Sequence, residues 1–130
     1  MKKYNLGITW GCFDGLSEAH LQILEQARSK CKKLIIGVSN DNYIKEKKKQ
    51  KPILDEITRK LILSKFADII VPQASWFSKK DAVDKLKPDV IFVGKEYQNK
   101  DWEGKELGLP IIYIKHNKTI HSTKIRKYIK

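Results

Sequence analysis

The sequence predicts an α/β domain built on a doubly wound parallel sheet of five strands with helices on both faces. Short apolar runs of strand length alternate along the chain with amphipathic segments of helical period. Two of those runs, Leu34–Val38 and Val90–Val93, are apolar without interruption, as strands covered on both faces must be. Strand, helix and strand in immediate succession imply a right-handed crossover and hence a parallel sheet.

The elements follow in order. Leu6, Ile8 and Trp10 alternate with Gly7 and Thr9 as a first strand, and the loop Gly11-Cys12-Phe13-Asp14-Gly15 leaves it. From Leu16 to about Lys30, apolar residues at Leu21, Leu24, Ala27 and Cys31 recur at helical spacing. Leu34–Val38 is the second strand, and residues 39–53 read as a polar, lysine-rich connection ending at Pro52. Asp55 caps a helix with Ile57, Leu61, Ile62 and Phe66 on its inner side. Ile69–Val71, stopped by Pro72, forms a third strand. Ser78 with Asp81 three residues on makes a capping box for a helix carrying Ala82, Val83 and Leu86. Val90–Val93, ended by Gly94, and Ile111–Ile114, introduced by Pro110, are the last strands. A short helix from about Ser122, with Ile125 and Ile129 inward, follows them. The expected architecture is Rossmann-like, in a single domain over residues 1–130.

Composition narrows the function. With 130 residues, a 41% apolar share and a 32% charged share, the chain is neither disordered-looking nor membrane-like. No apolar run approaches a bilayer span, and Met1-Lys2-Lys3-Tyr4 lacks a secretory signal. Two cysteines, Cys12 and Cys31, build neither a disulfide framework nor a four-cysteine zinc site. A cytoplasmic protein is expected. Twenty-seven Lys+Arg against fifteen Asp+Glu give a net charge of +12, which favours anionic partners. Nucleic acid ranks last among these, because no aromatic-interleaved basic stripe or known nucleic-acid motif is present.

Ligands of such sheets bind at the carboxyl ends of the strands, where residues 11–20, 94–104 and 115–124 should converge. Helix N-termini before Leu21 and at Ser122-Thr123 offer free backbone N–H groups to an anion. The dinucleotide G-x-G-x-x-G and the Walker G-K-[ST] do not fit residues 11–15. HExxH, CxxC and the G-x-S-x-G nucleophile turn are also missing from the sequence.

What does stand at the first strand–helix junction is Gly11-Cys12-Phe13-Asp14-Gly15-Leu16-Ser17-Glu18-Ala19-His20. It resembles the G-x-F-D-x-x-H-x-G-H signature of a nucleotidyltransferase superfamily. Ile120-His121-Ser122-Thr123-Lys124-Ile125 resembles that family's closing I-S-T-T motif, and Arg59–Leu63 its R-x-x-x-L/I helix. Lys87-Pro88-Asp89-Val90 through Gly94-Lys95-Glu96-Tyr97 is similar to its K-P-D-V segment. Asp101-Trp102-Glu103-Gly104 is similar to the D-W-E-G of the glycerol-3-phosphate cytidylyltransferase branch. Together, and in the family's order, these motifs cover essentially the whole chain.

The resemblance implies a single-step transfer in which the acceptor's phosphate attacks the α-phosphorus of CTP, or of ATP in the sugar-phosphate and pantetheine-phosphate branches. No enzyme nucleophile is needed, so positioning and charge neutralisation do the catalysis. By the same resemblance His20, Ser17 and Lys47 would be catalytic. Trp10, Gly11, Cys12, Phe13, Asp14, Gly94, His116, Ile120, Ser122, Thr123 and Lys124 would join His20 around the nucleotide. Lys45, Arg59, Lys95 and Tyr97 would take the small phosphorylated substrate. Magnesium is expected on the triphosphate, with Asp14 near it and no protein metal cluster; a homodimer is the expected assembly. Three departures stand out: the family's first histidine is Ser17, its motif glycine is Ala19, and His116 takes the place of an arginine. Ser17 can bind a phosphate oxygen but supplies no imidazolium charge. A catalytically degenerate nucleotide-binding module is therefore the competing expectation. Trp102 is open to two readings, packing anchor or base-stacking platform.

Overall fold

The computed structural model describes residues 3–14, 16–49 and 52–116. In chain order these form β1 (Tyr4–Gly11), α1 (Glu18–Lys30), β2 (Cys31–Ser39), α2 (Asp41–Lys48), α3 (Glu56–Leu63), β3 (Ile69–Gln73), α4 (Lys79–Leu86), β4 (Val90–Gly94) and β5 (Ile111–Ile114), with a 3-10 turn at Lys95–Tyr97. The strands make one parallel sheet in the order β3-β2-β1-β4-β5. The chain starts in the middle, steps outward through β2 and β3, then returns to lay β4 on the other side of β1. That reversal opens a crevice at the carboxyl ends of β1 and β4.

Side-chain alternation along the strands divides the core in two. Leu34, Ile36 and Val38 of β2 and Val90 and Phe92 of β4 join Leu24 and Ala27 of α1 and Leu63 of α3 on one face. Ile8, Ile35 and Ile91 meet Ala82 of α4 on the other. Each such fully buried aliphatic side chain stabilises the fold by about 1.5–3 kcal/mol. Asp89, just before β4, accepts from the N–H groups of Asn5 and Leu6 at 3.1 and 3.0 Å, which fixes the start of β1.

Helix starts follow the cap residues. Asp55 accepts from Thr58 N at 2.8 Å, and Ser78 and Asp81 form the expected reciprocal box. Three expectations are corrected. The polar connection after β2 contains a helix, α2, capped by Asn40 accepting from Tyr43 N at 2.7 Å. Its only buried side chain among those described is Ile44, so there was no apolar period to read. The inner side of α3 is rotated from the expected one: Arg59 and Leu63 are buried, while Ile57 and Leu61 are 72% and 66% exposed. Pro72 does not stop β3, because an edge strand tolerates a residue without an N–H. The expected helix from Ser122, with Ile125 and Ile129, lies outside the described residues. Among the described residues, no helix is long and apolar enough to cross a membrane.

Candidate active site

A cavity of about 370 Å³ fills the crevice at the β1/β4 switch. Its floor is the end of β1 and the following loop, from Thr9 and Trp10 through Gly11, Cys12, Phe13 and Asp14. His20 and Ile23 of α1 close one side, Val93, Gly94, Glu96 and Tyr97 another, and Lys79 and Trp102 a third.

The loop is held in an unusual shape. Phe13 takes a left-handed backbone conformation, φ 53°, although it is not glycine. Its ring is buried in the core beside α1, which holds that conformation in place. A Cβ on Gly11 would stand 3.1 Å from the Phe13 ring, so a side chain there would push the ring by a few tenths of an ångström.

Ser17 and His20 open α1 as a pair. Ser17 Oγ accepts from His20 N at 3.3 Å, and His20 Nδ1 accepts from Ser17 N at 3.2 Å. Because Nδ1 accepts, the ring proton of the neutral imidazole sits on Nε2, which becomes a donor. Phe13 packs edge-on to the same ring with centroids 5.6 Å apart. The helix N-terminus, the Ser17 hydroxyl and the His20 Nε2–H together form a donor-rich pole suited to phosphate oxygens.

Lys79 forms a second pole. Its Nζ lies 5.3 Å from the Trp10 ring centre and 5.9 Å from that of Trp102, and donates to the Glu103 carbonyl at 2.9 Å. Burial pushes this amine below its ordinary value, opposed by the nearby Glu103 and Glu106 carboxylates. Gly37 on β2 makes room for Trp10, since a Cβ there would meet the indole. Trp102 also packs edge-on against Tyr113, and its buried indole N–H has no partner among the described residues.

Behind the loop, Arg59 is fully buried. It donates to the carbonyls of Cys12, Ser39 and Leu54 at 2.9, 2.5 and 3.0 Å and pairs with Asp41 at 2.6 Å. Asp14 answers from the other side, accepting from Ile53 N and Leu54 N at 2.8 Å each. Arg59 therefore sits behind the cavity instead of on its wall, and both Asp14 oxygens are engaged by amides. Among the described residues, no group of three or more His, Cys, Asp or Glu side chains could hold a metal ion.

The remaining sequence candidates divide. Trp10, Gly11, Cys12, Phe13, Asp14, His20, Gly94 and Tyr97 line the cavity; Ser17 reaches it through its bonds to His20. Lys45 and Lys47 stand exposed on α2, Lys47 over the Tyr43 ring, and Lys95 is exposed at the start of the 3-10 turn. His116 is buried outside the lining, its Nε2 2.6 Å from Glu96 Oε1. Ile120, Ser122, Thr123 and Lys124 lie outside the described residues. Lys79 and Glu96 were not singled out from sequence. Lys79 and Lys80 are adjacent and alike, and only the turn of α4 separates them: Lys79 enters the cavity while Lys80 pairs outside with Asp84 at 2.6 Å.

A parallel sheet with a cavity at its switch point, flanked by the N-terminal end of α1, is the arrangement in which Rossmann-like α/β proteins hold their ligands. The cytidylyltransferase-like family matches residues 8–128, and the chain belongs to that family of nucleotidyltransferases. It is 33% identical over 126 residues to the glycerol-3-phosphate cytidylyltransferase of Staphylococcus aureus, covering 92% of this chain and 91% of that one. The Bacillus subtilis protein of the same name is 32% identical over 128 residues, covering 94% and 95%. The bifunctional protein HldE of Hyphomonas neptunium is 33% identical over 106 residues, 78% of this chain but 21% of that one. Among solved structures, a lipopolysaccharide core biosynthesis protein of Thermoplasma volcanium shares the fold, with a TM-score of 0.66 at 24% identity over 88% of this chain and 97% of that one.

Proposed function

We propose that this chain transfers CMP from CTP to a small phosphorylated alcohol resembling glycerol 3-phosphate, releasing pyrophosphate and leaving a CDP-activated alcohol. The observation that carries the reading is the pair of anion-accepting poles in one cavity: the α1 N-terminus with Ser17 and His20, and Lys79 between Trp10 and Trp102. A reaction between two phosphate esters needs two such places. Near-full-length identity to two glycerol-3-phosphate cytidylyltransferases supports the choice of CTP and acceptor.

In this reading an oxygen of the acceptor phosphate attacks the α-phosphorus of CTP; magnesium, where bound, would neutralise charge on the triphosphate and would need no protein metal cluster. The bond from that phosphorus to the bridging oxygen breaks, and the electron pair leaves with pyrophosphate. His20 Nε2–H and the α1 amides donate to the phosphate oxygens as charge shifts toward the leaving group. Lys79 holds the acceptor phosphate, and the desolvation that lowers its affinity for a proton strengthens its attraction for a bound anion. Lys45, Lys47 and Lys95 draw the anionic substrates to the mouth.

The test is pyrophosphate release with magnesium, crossing CTP and ATP with glycerol 3-phosphate and a set of phosphorylated sugars. Turnover with CTP and glycerol 3-phosphate is expected, with kcat about 100-fold or more lower in His20→Ala. Turnover with ATP and a sugar phosphate alone would move the chain to adenylyl transfer. Nucleotide binding without turnover on any acceptor would make it a degenerate binding module.

A further inference from the structure

Of residues 101–104, Trp102 lines the cavity, while Glu103 reaches Lys79 through its backbone carbonyl, which accepts from the ammonium at 2.9 Å. The Glu103 carboxylate accepts instead from the Tyr43 hydroxyl of α2, at 3.5 Å. A lysine ammonium rides on a flexible four-carbon stem and carries three donors. The indoles of Trp10 and Trp102, 5.3 and 5.9 Å from it, attract the charge with little directionality. The Glu103 carbonyl is the directional contact. It fixes one N–H and leaves the others for a bound anion.

That carbonyl owes its direction to the next residue. Trp102 O accepts from Lys105 N at 3.2 Å, closing a four-residue turn whose third residue, Gly104, has φ 110°. A positive φ at that place is the type II pattern, which favours glycine. A type I turn joins the same ends with a negative φ there, and the two types differ by turning over the central peptide. In this turn the central peptide carries the Glu103 carbonyl. Gly104 is also buried beside the lysine: a Cβ on it would stand 3.2 Å from the Trp102 ring and 3.4 Å from Lys79 Cδ.

We infer that the type II turn over residues 102–105 positions Lys79, so that Glu103 and Gly104 govern binding of the acceptor and not of the nucleotide. This rests on Lys79 being the residue that holds the acceptor phosphate.

Gly104→Ala tests it, because alanine favours the type I turn, which directs the Glu103 carbonyl away from Lys79 while both ends of the turn stay in place. Circular dichroism should be unchanged. The acceptor KM is expected to rise about tenfold, with the CTP KM within about twofold of wild type. Added to Lys79→Met, the same substitution should change the acceptor KM by less than about twofold, since it acts through Lys79. A second measurement needs no substitution in the turn: the carbonyl carbon resonance of Glu103 should shift in Lys79→Met while that of Asp101 holds still. An unchanged acceptor KM or a raised CTP KM in Gly104→Ala would overturn the inference. So would additive effects in the double variant, or a Glu103 resonance indifferent to Lys79→Met. An acceptor KM unchanged in Lys79→Met alone would overturn the acceptor role of Lys79 itself, leaving the resonance shift to decide whether the turn holds the amine.

Discussion

Replacing Arg59 by methionine keeps most of the apolar stem and removes the guanidinium. Three carbonyl oxygens, of Cys12, Ser39 and Leu54, lose their donor, and so does an Asp41 carboxylate oxygen. An unsatisfied buried acceptor costs roughly 1–3 kcal/mol, and these partly buried carbonyls belong at the low end, about 1 kcal/mol each. Asp41 is 45% exposed and rehydrates at small cost. Relief of the buried positive charge offsets part of the loss. The expected net destabilisation is about 2–3 kcal/mol, a large share of the roughly 5–15 kcal/mol that holds a domain folded. The urea midpoint should fall with an unchanged slope, and melting should come about 10 °C earlier. Hydrogen exchange gives a local check, since the Ile53 and Leu54 amides bonded to Asp14 should lose protection once Arg59 stops holding the Leu54 carbonyl. A loss under about 0.5 kcal/mol, with those amides still protected, would refute the view that Arg59 ties the cavity loop to the start of α3.

Lys79→Met should raise the acceptor KM by about tenfold or more while leaving the urea midpoint at neutral pH unchanged or higher. The folded-state amine is held below its ordinary value by burial, so its unfavourable contribution is full at neutral pH and is relieved as pH rises from the lowered folded-state value to the unfolded one of 10.5. Asp81→Ala should lower the melting temperature at pH 7. Hydrogen bonds from the Ser78 N–H and hydroxyl hold the Asp81 carboxyl below the usual range, so its stabilisation is present above the unfolded value of 3.8 and lost as pH falls through the folded one. The two proteins should therefore melt alike in strong acid. Gly37→Ala should displace the Trp10 indole from the cavity wall, seen as a shift in tryptophan fluorescence and a loss of turnover at intact secondary structure.

Charge and periodicity made the frame legible. The continuous apolar runs of β2 and β4 could only be strands buried on both faces, and their placement after helical segments fixed a parallel sheet. The caps Asp55 and Ser78 marked two helix starts, because a short oxygen-bearing side chain satisfies the same amides in any sequence context. The strand–loop–helix junction was equally readable as part of the cavity wall, which Gly11 to Asp14 and His20 line. Such a junction is local, made by backbone groups and side chains within one turn of each other.

Helix α2 escaped notice because a helix with one buried side chain leaves almost no hydrophobic period. The rotation of α3 was hidden for the opposite reason. Ile57 and Leu61 look like core residues, and Arg59 looks like a surface one, until three acceptors from distant segments and one from the residues leading into α3 converge on the guanidinium and make its burial favourable. Lys79 differs from Lys80 in nothing the sequence records. The sequence by itself determined most of the elements, the sheet class and the cavity-lining loop after β1, since these rest on short-range propensity and patterning. Only the tertiary structure decided which arginine goes inside, which lysine enters the cavity and which face of α3 is left uncovered, because each depends on partners brought together from far along the chain.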